Sequence, residues 1–367
     1  MPETTPAVDQ PSFRVWAPGR VNLIGEHTDY SGGLVLPIAI QYGIRLAAVR
    51  AEREITLESE GYGRAETVAA DGSGPRARGW ARYAQAVAAE LADAGRPAIG
   101  MKGTIASDLP PRAGLSSSAA LEVALALALC TVADFGLEPL ELALLCQRAE
   151  LRAVGVPCGI LDQAACLLGS NEHAILLDCD ALEYRRIHVP FDAGLLIVDS
   201  GVARSLENTA YAERRGELEQ ALQLVGAARS TGVEAGALSS LDDAPKRRLR
   251  HVVTENERVT RFGAALEAGD LAGAGELLRE SHASLRDDYE VSIPELDLLV
   301  ELAIDAGALG ARLLGGGFGG SVLVLAPAQR VEDVGRAIAA RYRERVGTGG
   351  DTLLVRASRG ATPGRPG

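Results

Sequence analysis

Four side chains suited to acid–base or phosphate chemistry lie close together near the start of the sequence. The stretch APGRVNLIGEHTDYSGG, residues 17–33, contains Arg20, Glu26, His27 and Asp29. Arginine pairs with carboxylates and phosphates, and carboxylates accept hydrogen bonds from hydroxyl groups. The chain has only five histidines, and one of them lies here between two acids. This density of charged groups favours a ligand site over a solvated turn.

A second stretch is suited to hold phosphate. In LPPRAGLSSSAALEVALAL, a glycine- and serine-containing loop leads directly into a predicted helix. The first N–H groups of a helix have no partners within it, so they form a natural anion site. Three consecutive hydroxyls, Ser116–Ser118, exceed what an N-cap needs, although a plain serine N-cap is the alternative. The Walker pattern G-x-x-x-x-G-K-[ST] does not occur, so this is not a P-loop.

The glycine run GGGFGGS, residues 315–321, matches the spacing of a dinucleotide-binding motif but not its context. That motif needs a strand before it and a helix after it. Here the following segment, SVLVLAP, is typical of a strand. We therefore predict a strand–turn–strand with close backbone packing, and the Rossmann dehydrogenase interpretation is disfavoured.

Composition excludes several other classes. A net charge of −12 disfavours nucleic acid and anionic membranes as partners. The only lysines are Lys102 and Lys246, so arginine, backbone N–H groups or a metal must hold any phosphate. The five cysteines form no C-x-x-C pattern, which favours free thiols in a reducing compartment. We expect a cytoplasmic protein, because neither a signal-peptide pattern nor a membrane-length apolar run is present.

Apolar periodicity indicates an α+β chain with a strand-rich first half and a helix-rich second half. Strands are predicted over 13–25 and 34–60, and also over the short segment ACLLGS, residues 165–170. The chain from about 205 to 290 is predicted to be mostly helix. Its 367 residues are enough for two domains, which we place at 12–192 and 193–358, with disordered tails at 1–11 and 359–367.

Together these segments resemble a known family. PGRVNLIGEHTDYSGG, LPPRAGLSSSAALE and GARLLGGGFGGSVLVL stand in the order of the three motifs of the GHMP kinases. The first is similar to the galactokinase signature at nearly every position, and GVPCGILDQ, RHVVTENERV and SHASLRDDYEVSIPELD resemble further galactokinase segments. The resemblance covers residues 12–356. It implies the two-domain GHMP kinase fold, with a ribosomal protein S5 domain 2-like N-terminal domain, an α+β C-terminal domain, and the site in the cleft between them.

The resemblance also implies an activity in galactose metabolism. A galactokinase transfers the γ-phosphoryl group of ATP to the C1 hydroxyl of α-D-galactose, with Mg²⁺ as cofactor. By the family pattern, Asp162 would be the base or orienting charge beside the attacking hydroxyl. Arg20 would hold Asp162 ionised and steady the transferring group. Ser118 and Glu150 would bind Mg²⁺.

The remaining site residues follow from the same resemblance. The residues that would contact the sugar are Glu26, His27, Thr28, Asp29, Gly159 and Tyr211. The residues that would contact ATP are Ser59, Arg112, Ala113, Gly114, Leu115, Ser116, Ser117 and Ser118. The expected partners are ATP and galactose, without nucleic acid or membrane, and the expected assembly is a monomer or weak dimer.

Some alternatives stay open at this stage. Asp162 could be a helix N-cap, Glu150 a solvated helix residue, and Tyr211 a core residue. Ala210 and Leu314 depart from the family pattern beside Tyr211 and before the glycine run. A related kinase for arabinose or N-acetylgalactosamine therefore remains possible. A non-catalytic sugar and ATP sensor is disfavoured, because the serine loop is uninterrupted.

Overall fold

The structure is a computed structural model that describes residues 13–60, 65–110, 114–155, 158–203, 207–233 and 235–363. The strands in this part of the chain are β1 Phe13–Asn22, β2 Leu34–Val35, β3 Pro37–Ala51, β4 Glu54–Ser59, β5 Ala65–Ala69, β6 Gly100–Ser107, β7 His173–Asp178, β8 Glu183–His188, β9 Ala193–Asp199, β10 Gly310–Leu314, β11 Ser321–Pro327, β12 Thr352–Val355 and β13 Thr362–Pro363. The α-helices are α1 Ala81–Asp93, α2 Ser117–Ala133, α3 Pro139–Val154, α4 Leu161–Leu168, α5 Glu207–Leu224, α6 Asp243–Glu267, α7 Leu271–Asp287, α8 Pro294–Asp305 and α9 Val331–Val346. Two 3-10 helices cover Asp29–Ser31 and Ala235–Ser240.

The first half of the chain is built on a six-stranded sheet with the order β13-β1-β3-β6-β4-β5. Helix α2 packs on β1 and β3, and it also contacts α1, α3 and α4. Its sequence is rich in alanine and leucine, which form helices readily. Because it has neighbours on several sides, its apolar residues are buried around most of its circumference. This burial fixes the N-terminus of α2, which carries the serine loop.

The segment ACLLGS was predicted as a strand, and that prediction was wrong. Residues 165–168 form the end of α4, which packs against β1, β3 and α2. A short apolar run that is buried on most sides has no periodicity to separate helix from strand. The difference affects the site, because Asp162 therefore lies in the first turn of a helix.

The second half is built on an antiparallel four-stranded sheet with the order β10-β11-β9-β12. Helices α7 and α8 pack on β10, and α9 packs on β9. The glycine run forms the turn between β10 and β11, as the sequence predicts. A smaller sheet with the order β2-β7-β8 lies against α6, which joins the two halves.

The predicted division after residue 192 precedes β9, the first strand of the second large sheet. The division into two domains stays a prediction. Strand β13, which follows both predicted domains in the sequence, pairs with β1 of the first sheet. Among the described residues, none of the helices is both long enough and apolar enough to cross a bilayer.

The prediction of a disordered tail at 359–367 was wrong for residues 359–363. Gly360 N–H donates to the Gly169 carbonyl and Ala361 N–H to the Cys166 carbonyl, both at 2.7 Å. These carbonyls lie at the C-terminal end of α4, where helical partners run out. The predicted tail at 1–11 and residues 364–367 lie outside the described residues.

Removal of residues 359–367 is expected to destabilise the protein, because it leaves the two carbonyls at the end of α4 without donors. Water can replace the lost donors once the segment is gone, and a hydrogen bond contributes about 0.5–1.5 kcal/mol net, so we expect these two bonds to account for a loss of about 1–3 kcal/mol. Urea unfolding measures this loss, and a chain lacking only 364–367 is the matched control. Equal stability of the two truncated chains would show that 359–363 do not cap α4.

Candidate active site

The site is centred on an ion pair between β1 and α4. Arg20 Nε donates to Asp162 Oδ1 at 2.6 Å, although 142 positions separate the two residues. The side chain of Arg20 is 11% exposed and that of Asp162 is 28% exposed, so the pair is partly shielded from water. Burial alone would lower the pKa of Arg20, but the negative charges of Asp162 and Glu26 outweigh it and raise that pKa. Arg20 is therefore a permanent positive charge in the site.

The serine loop lies directly against this pair. Arg20 Nη1 donates to the Gly114 carbonyl at 2.6 Å, and Arg20 N–H donates to the Leu115 carbonyl at 3.2 Å. This approach requires glycine at position 19, because a Cβ there would lie 2.8 Å from the Leu115 carbonyl oxygen. Arg20 is thus bonded to the serine loop through both its side chain and its backbone N–H.

Ser116 does not act as a plain serine N-cap. It occupies the N-cap position of α2 in a left-handed conformation, with φ of 54°, and its side chain makes no capping hydrogen bond. Its hydroxyl instead donates to Asp162 Oδ2. The alternative of a simple cap is therefore wrong, and so is the alternative that Asp162 caps α4, since Ile160 holds that position.

Ser118 and Glu150 form the candidate magnesium site. Ser118 Oγ donates to Glu150 Oε1 at 2.8 Å, across the contact between α2 and α3. Mg²⁺ prefers oxygen ligands in octahedral geometry at about 2.0–2.1 Å, which puts neighbouring ligand oxygens about 2.9 Å apart. The pair fits that spacing. In the described part of the chain no cluster of three His, Cys, Asp or Glu could hold a metal.

Four of the six predicted sugar residues lie on a tight loop between β1 and β2, namely Glu26, His27, Thr28 and Asp29. Gly25 and His27 both have positive φ angles, of 99° and 65°. The Thr28 hydroxyl has carbonyl partners within the loop at Gly25 and Leu34, at 2.9 and 2.7 Å. Thr28 therefore holds the loop together, rather than presenting a free hydroxyl.

The His27 ring lies among other aromatic rings. Its Nδ1 is 2.8 Å from the Tyr30 hydroxyl, and its ring centroid is 4.4 Å from that of Tyr289 and 5.8 Å from that of Tyr211. Burial, followed by the charge of His251, lowers the pKa of His27 to about 3, so the ring is neutral at pH 7. Its Nε2 is buried, and the ring also interacts with the backbone of Gly316. The His27 ring is therefore a neutral polar group held among aromatic side chains.

Asp29 lies against Gly159, where a Cβ would overlap its carboxylate. Burial, followed by the negative charges of Asp162 and Glu26, raises the pKa of Asp29 to about 7. Asp29, Glu26 and Asp162 therefore lie close enough together for their charges to interact. This close packing explains why the residue at position 159 is a glycine.

Glu26 is held by an arginine that the sequence analysis did not identify. Arg312, on β10, donates to Glu26 Oε1 from Nη1 and Nη2, both at 3.1 Å. The same side chain donates to the carbonyls of Asn22, Leu23 and Leu313 at 2.6–2.7 Å, so all five of its N–H groups have partners. Burial alone would raise the pKa of Glu26, but Arg312 and the Gly315 N–H outweigh it and lower that pKa. Glu26 therefore anchors the loop as an ionised carboxylate.

The structure does not bring every predicted residue to this centre. Arg112 and Ala113 lie outside the described residues. Ser117 is the exposed first residue of α2. Ser59 ends β4 beside Ile105 of β6 and has no hydrogen bond to the other predicted residues in the described part of the chain. The roles of these residues in binding ATP stay predictions.

Other residues of the site were missed because they do not stand out in the sequence. Arg312 precedes the glycine run, and Tyr30 lies within the first motif, so both adjoin segments that the analysis singled out. Gln163 follows Asp162 directly and donates to Glu150 Oε2 at 2.7 Å. Tyr289 joins the site only through tertiary contacts with Tyr30 and His27. The one sequence signal for these residues was that they lie within or beside segments already singled out.

Comparison with known proteins decides the family. The chain matches the models of three families: the galactokinase galactose-binding signature over 7–50, the GHMP kinases N terminal domain over 82–170, and the GHMP kinases C terminal over 264–344. A galactokinase of Thermococcus kodakarensis is 41% identical over 350 residues, covering 95% of this chain and 99% of that protein. The chain belongs to the galactokinase family.

Further family members agree with this assignment. A galactokinase of Streptomyces coelicolor is 44% identical over 339 residues, covering 88% of this chain and 87% of that protein. The crystal structure of Lactococcus lactis galactokinase complexed with galactose superposes with a TM-score of 0.90 at 34% identity, covering 95% of this chain and 94% of that one. The predicted galactokinase family, GHMP kinase fold and class of ATP-dependent sugar kinase are therefore confirmed.

Arg312→Met is expected to destabilise this galactokinase family member strongly, because Glu26 would be left buried without its cation. Removing one partner of a buried ion pair costs about 3–5 kcal/mol. The double variant Arg312→Met/Glu26→Leu should recover part of that loss, since no charge is then left unpaired. Guanidinium unfolding of the two single variants and the double variant measures the coupling. Simple addition of the two single losses would contradict a direct interaction.

Proposed function

We propose that the chain is a galactokinase, which transfers the γ-phosphoryl group of ATP to the C1 hydroxyl of α-D-galactose and releases galactose 1-phosphate and ADP. The observation that carries the proposal is the contact of Asp162 with both Arg20 and Ser116. It puts a carboxylate, a permanent cation and the serine loop at one point. The family assignment supports the choice of sugar.

The phosphates of ATP are proposed to lie on the loop over 112–118 and the N-terminus of α2. The free N–H groups of the first helical turn and the helix dipole stabilise negative charge there. The Ser117 side chain is exposed and available to an incoming phosphate. Phosphoryl transfer depends mainly on positioning and charge stabilisation, which the N-terminus of α2 and its serine hydroxyls would supply.

Asp162 is proposed to orient the C1 hydroxyl and to accept its proton as the phosphoryl group moves. Its two oxygens already accept hydrogen bonds from Arg20 and Ser116, which fixes the carboxylate plane. A positioned base of this kind contributes about 10²–10⁴-fold to rate. Arg20 remains charged throughout and stabilises the negative charge on the transferring group.

Ser118 and Glu150 are proposed to hold Mg²⁺, as their oxygen spacing supports. When bound, Mg²⁺ neutralises phosphate charge and fixes the phosphate geometry. The protein contributes one hydroxyl and one carboxylate, which suits a cation that keeps several water and phosphate ligands.

The sugar is proposed to lie against Asp29, His27 and Tyr211. Asp29 accepts hydrogen bonds from hydroxyl groups when ionised, and the neutral His27 ring offers a further polar contact. Glu26 and Thr28 act mainly by shaping the loop, because most of their hydrogen-bonding capacity is used inside the protein. Leu314 is fully buried in the hydrophobic core, so its departure from the family pattern concerns packing.

We further propose that the protein is a cytoplasmic monomer or weak dimer. Of the large apolar side chains exposed among the described residues, no two share a helix or strand; they are Leu151, Tyr184, Phe191, Leu224 and Leu354. Free cysteines agree with a reducing compartment. Sedimentation at micromolar concentration tests the assembly.

Asp162→Asn is expected to reduce kcat by about 10²–10⁴-fold, because the amide cannot accept the hydroxyl proton. ADP release measured with Mg·ATP and a panel of galactose, arabinose and N-acetylgalactosamine tests both the role and the substrate. Galactose should give the highest kcat/KM. If the wild-type chain phosphorylates no free sugar, the proposed function is wrong. If Asp162→Asn retains full activity, only the role of Asp162 is wrong.

Asp29→Asn is expected to stabilise the free protein near pH 7 while weakening sugar binding. The raised pKa of Asp29 means that the folded state keeps a proton which the unfolded chain has lost. Stability therefore falls as pH rises from about 4 to about 7 and levels off above that. Thermal unfolding at pH 4, 5, 6, 7 and 8 should show a gap between variant and wild type that grows and then stops growing. A variant that is less stable at every pH would refute the assignment.

A further inference from the structure

One buried carboxyl group near the site has no part in the proposed phosphoryl transfer. Glu122 is fully buried on α2, one turn beyond Ser118, within a run of alanine and leucine. A buried carboxylate without a cation is strongly disfavoured. Burial, followed by the negative charge of Glu150, raises the pKa of Glu122 to about 10, so the group is an uncharged acid at neutral pH.

Gln163 connects Glu122 to the candidate magnesium ligand. Its Nε2 donates to Glu150 Oε2 at 2.7 Å and to Glu122 Oε2 at 3.1 Å, so both amide hydrogens are used. The opposite orientation of the amide would put an acceptor oxygen between two carboxyl oxygens. The hydrogen-bond pattern therefore fixes which way the amide points.

Two further oxygens in this cluster are left without partners. Glu122 Oε1 and Gln163 Oε1 are both buried and accept no hydrogen bond from the described groups. A carboxylic acid and a carboxamide are complementary, since the acid O–H donates to the amide oxygen while the amide N–H donates to the acid oxygen. A proton on Glu122 Oε1 makes that atom a donor, and Gln163 Oε1 is the acceptor that such an acid–amide pair requires.

We propose that Gln163 is the positioning residue of Glu150, and that Glu122 holds Gln163 in place through a paired acid–amide contact. Glu150 Oε2 is fixed by Gln163, and Cys158 Sγ also donates to it at 3.3 Å. Its Oε1 is thereby turned toward Ser118. Because Gln163 follows Asp162 in α4, one helical turn positions both the Asp162 carboxylate and, through Gln163, the Glu150 carboxylate. The inference rests on the proposed function, in which Glu150 holds Mg²⁺.

The test compares Glu122→Gln, Glu122→Met and Gln163→Met with the wild-type chain. Glutamine at position 122 keeps one donor and one acceptor for Gln163, whereas methionine has a similar size and offers neither. Gln85→Met is the matched control, because Gln85 also bonds through its amide but lies on α1 and contacts Ala77 and Pro75. The readouts are Mn²⁺ binding by electron paramagnetic resonance in the presence of ADP, the thermal midpoint of the metal-free protein, and KM for Mg·ATP and for sugar.

We expect Glu122→Gln to bind Mn²⁺ within about twofold of wild type and to keep its thermal midpoint. Glu122→Met and Gln163→Met should weaken Mn²⁺ binding by about 10–100-fold, the usual effect of losing a partner of a metal ligand. The KM for sugar should change less than twofold in all variants, and Gln85→Met should bind Mn²⁺ normally. This selective loss separates positioning from general destabilisation.

Two outcomes would overturn the inference while leaving the proposed function standing. One is normal Mn²⁺ affinity in Gln163→Met, which would show that the amide does not position Glu150. The other is an equal loss in Glu122→Gln and Glu122→Met, which would show that the acid–amide pairing is not what matters. A wild-type chain that binds no Mn²⁺ and phosphorylates no sugar would instead refute the proposed function, and with it the metal role of Glu150.

Discussion

The arrangement of the site depends on one constraint: the buried carboxylate of Glu26 must be neutralised by Arg312. A charged pair this deep is tolerated only when its geometry satisfies every donor and acceptor. Arg312 meets that condition by donating to Glu26 and to three carbonyl oxygens at once. Two of those carbonyls, at Asn22 and Leu23, belong to the segment that joins β1 to the loop carrying His27 and Asp29. Strand β10, in the second half of the chain, thereby fixes the backbone of the loop that carries His27 and Asp29 in the first half.

The site contains more acids than cations, and its five acids are accommodated in three different ways. Asp162 is paired with Arg20, and Glu26 with Arg312. Glu150 accepts hydrogen bonds from Ser118 and Gln163. Asp29 and Glu122 have neither a cation nor enough donors, and their pKa values rise accordingly. Chemically similar carboxyl groups thus have different surroundings, and this allows them different roles in one site.

Much of the fold and the centre of the site could be predicted from the sequence. The glycine–serine loop before an alanine- and leucine-rich helix, and the strand–turn–strand at the glycine run, follow from local rules. The contact between Arg20 and Asp162 does not, because local rules cannot join residues 142 positions apart. Only the resemblance to galactokinases pointed to that pair. Arg312 was missed for the same reason, because the Glu26 carboxylate and the Leu23 carbonyl that it binds lie 286 and 289 positions away in the sequence. The helical state of residues 165–168 was also missed, since short buried segments carry no periodic signal.

The return of β13 to the first sheet has a consequence for the order in which the chain is made. β13 pairs with Val15 and Trp16 of β1, so nearly the entire chain is synthesised between the two partners. Until β13 leaves the ribosome, β1 has no neighbour on that side, and unpaired strand edges invite association with other chains. The C-terminal end of α4, which carries Asp162 in its first turn, stays uncapped over the same period. The first half of the molecule is therefore synthesised before the second, yet it is completed only by β13, which is synthesised after the second half.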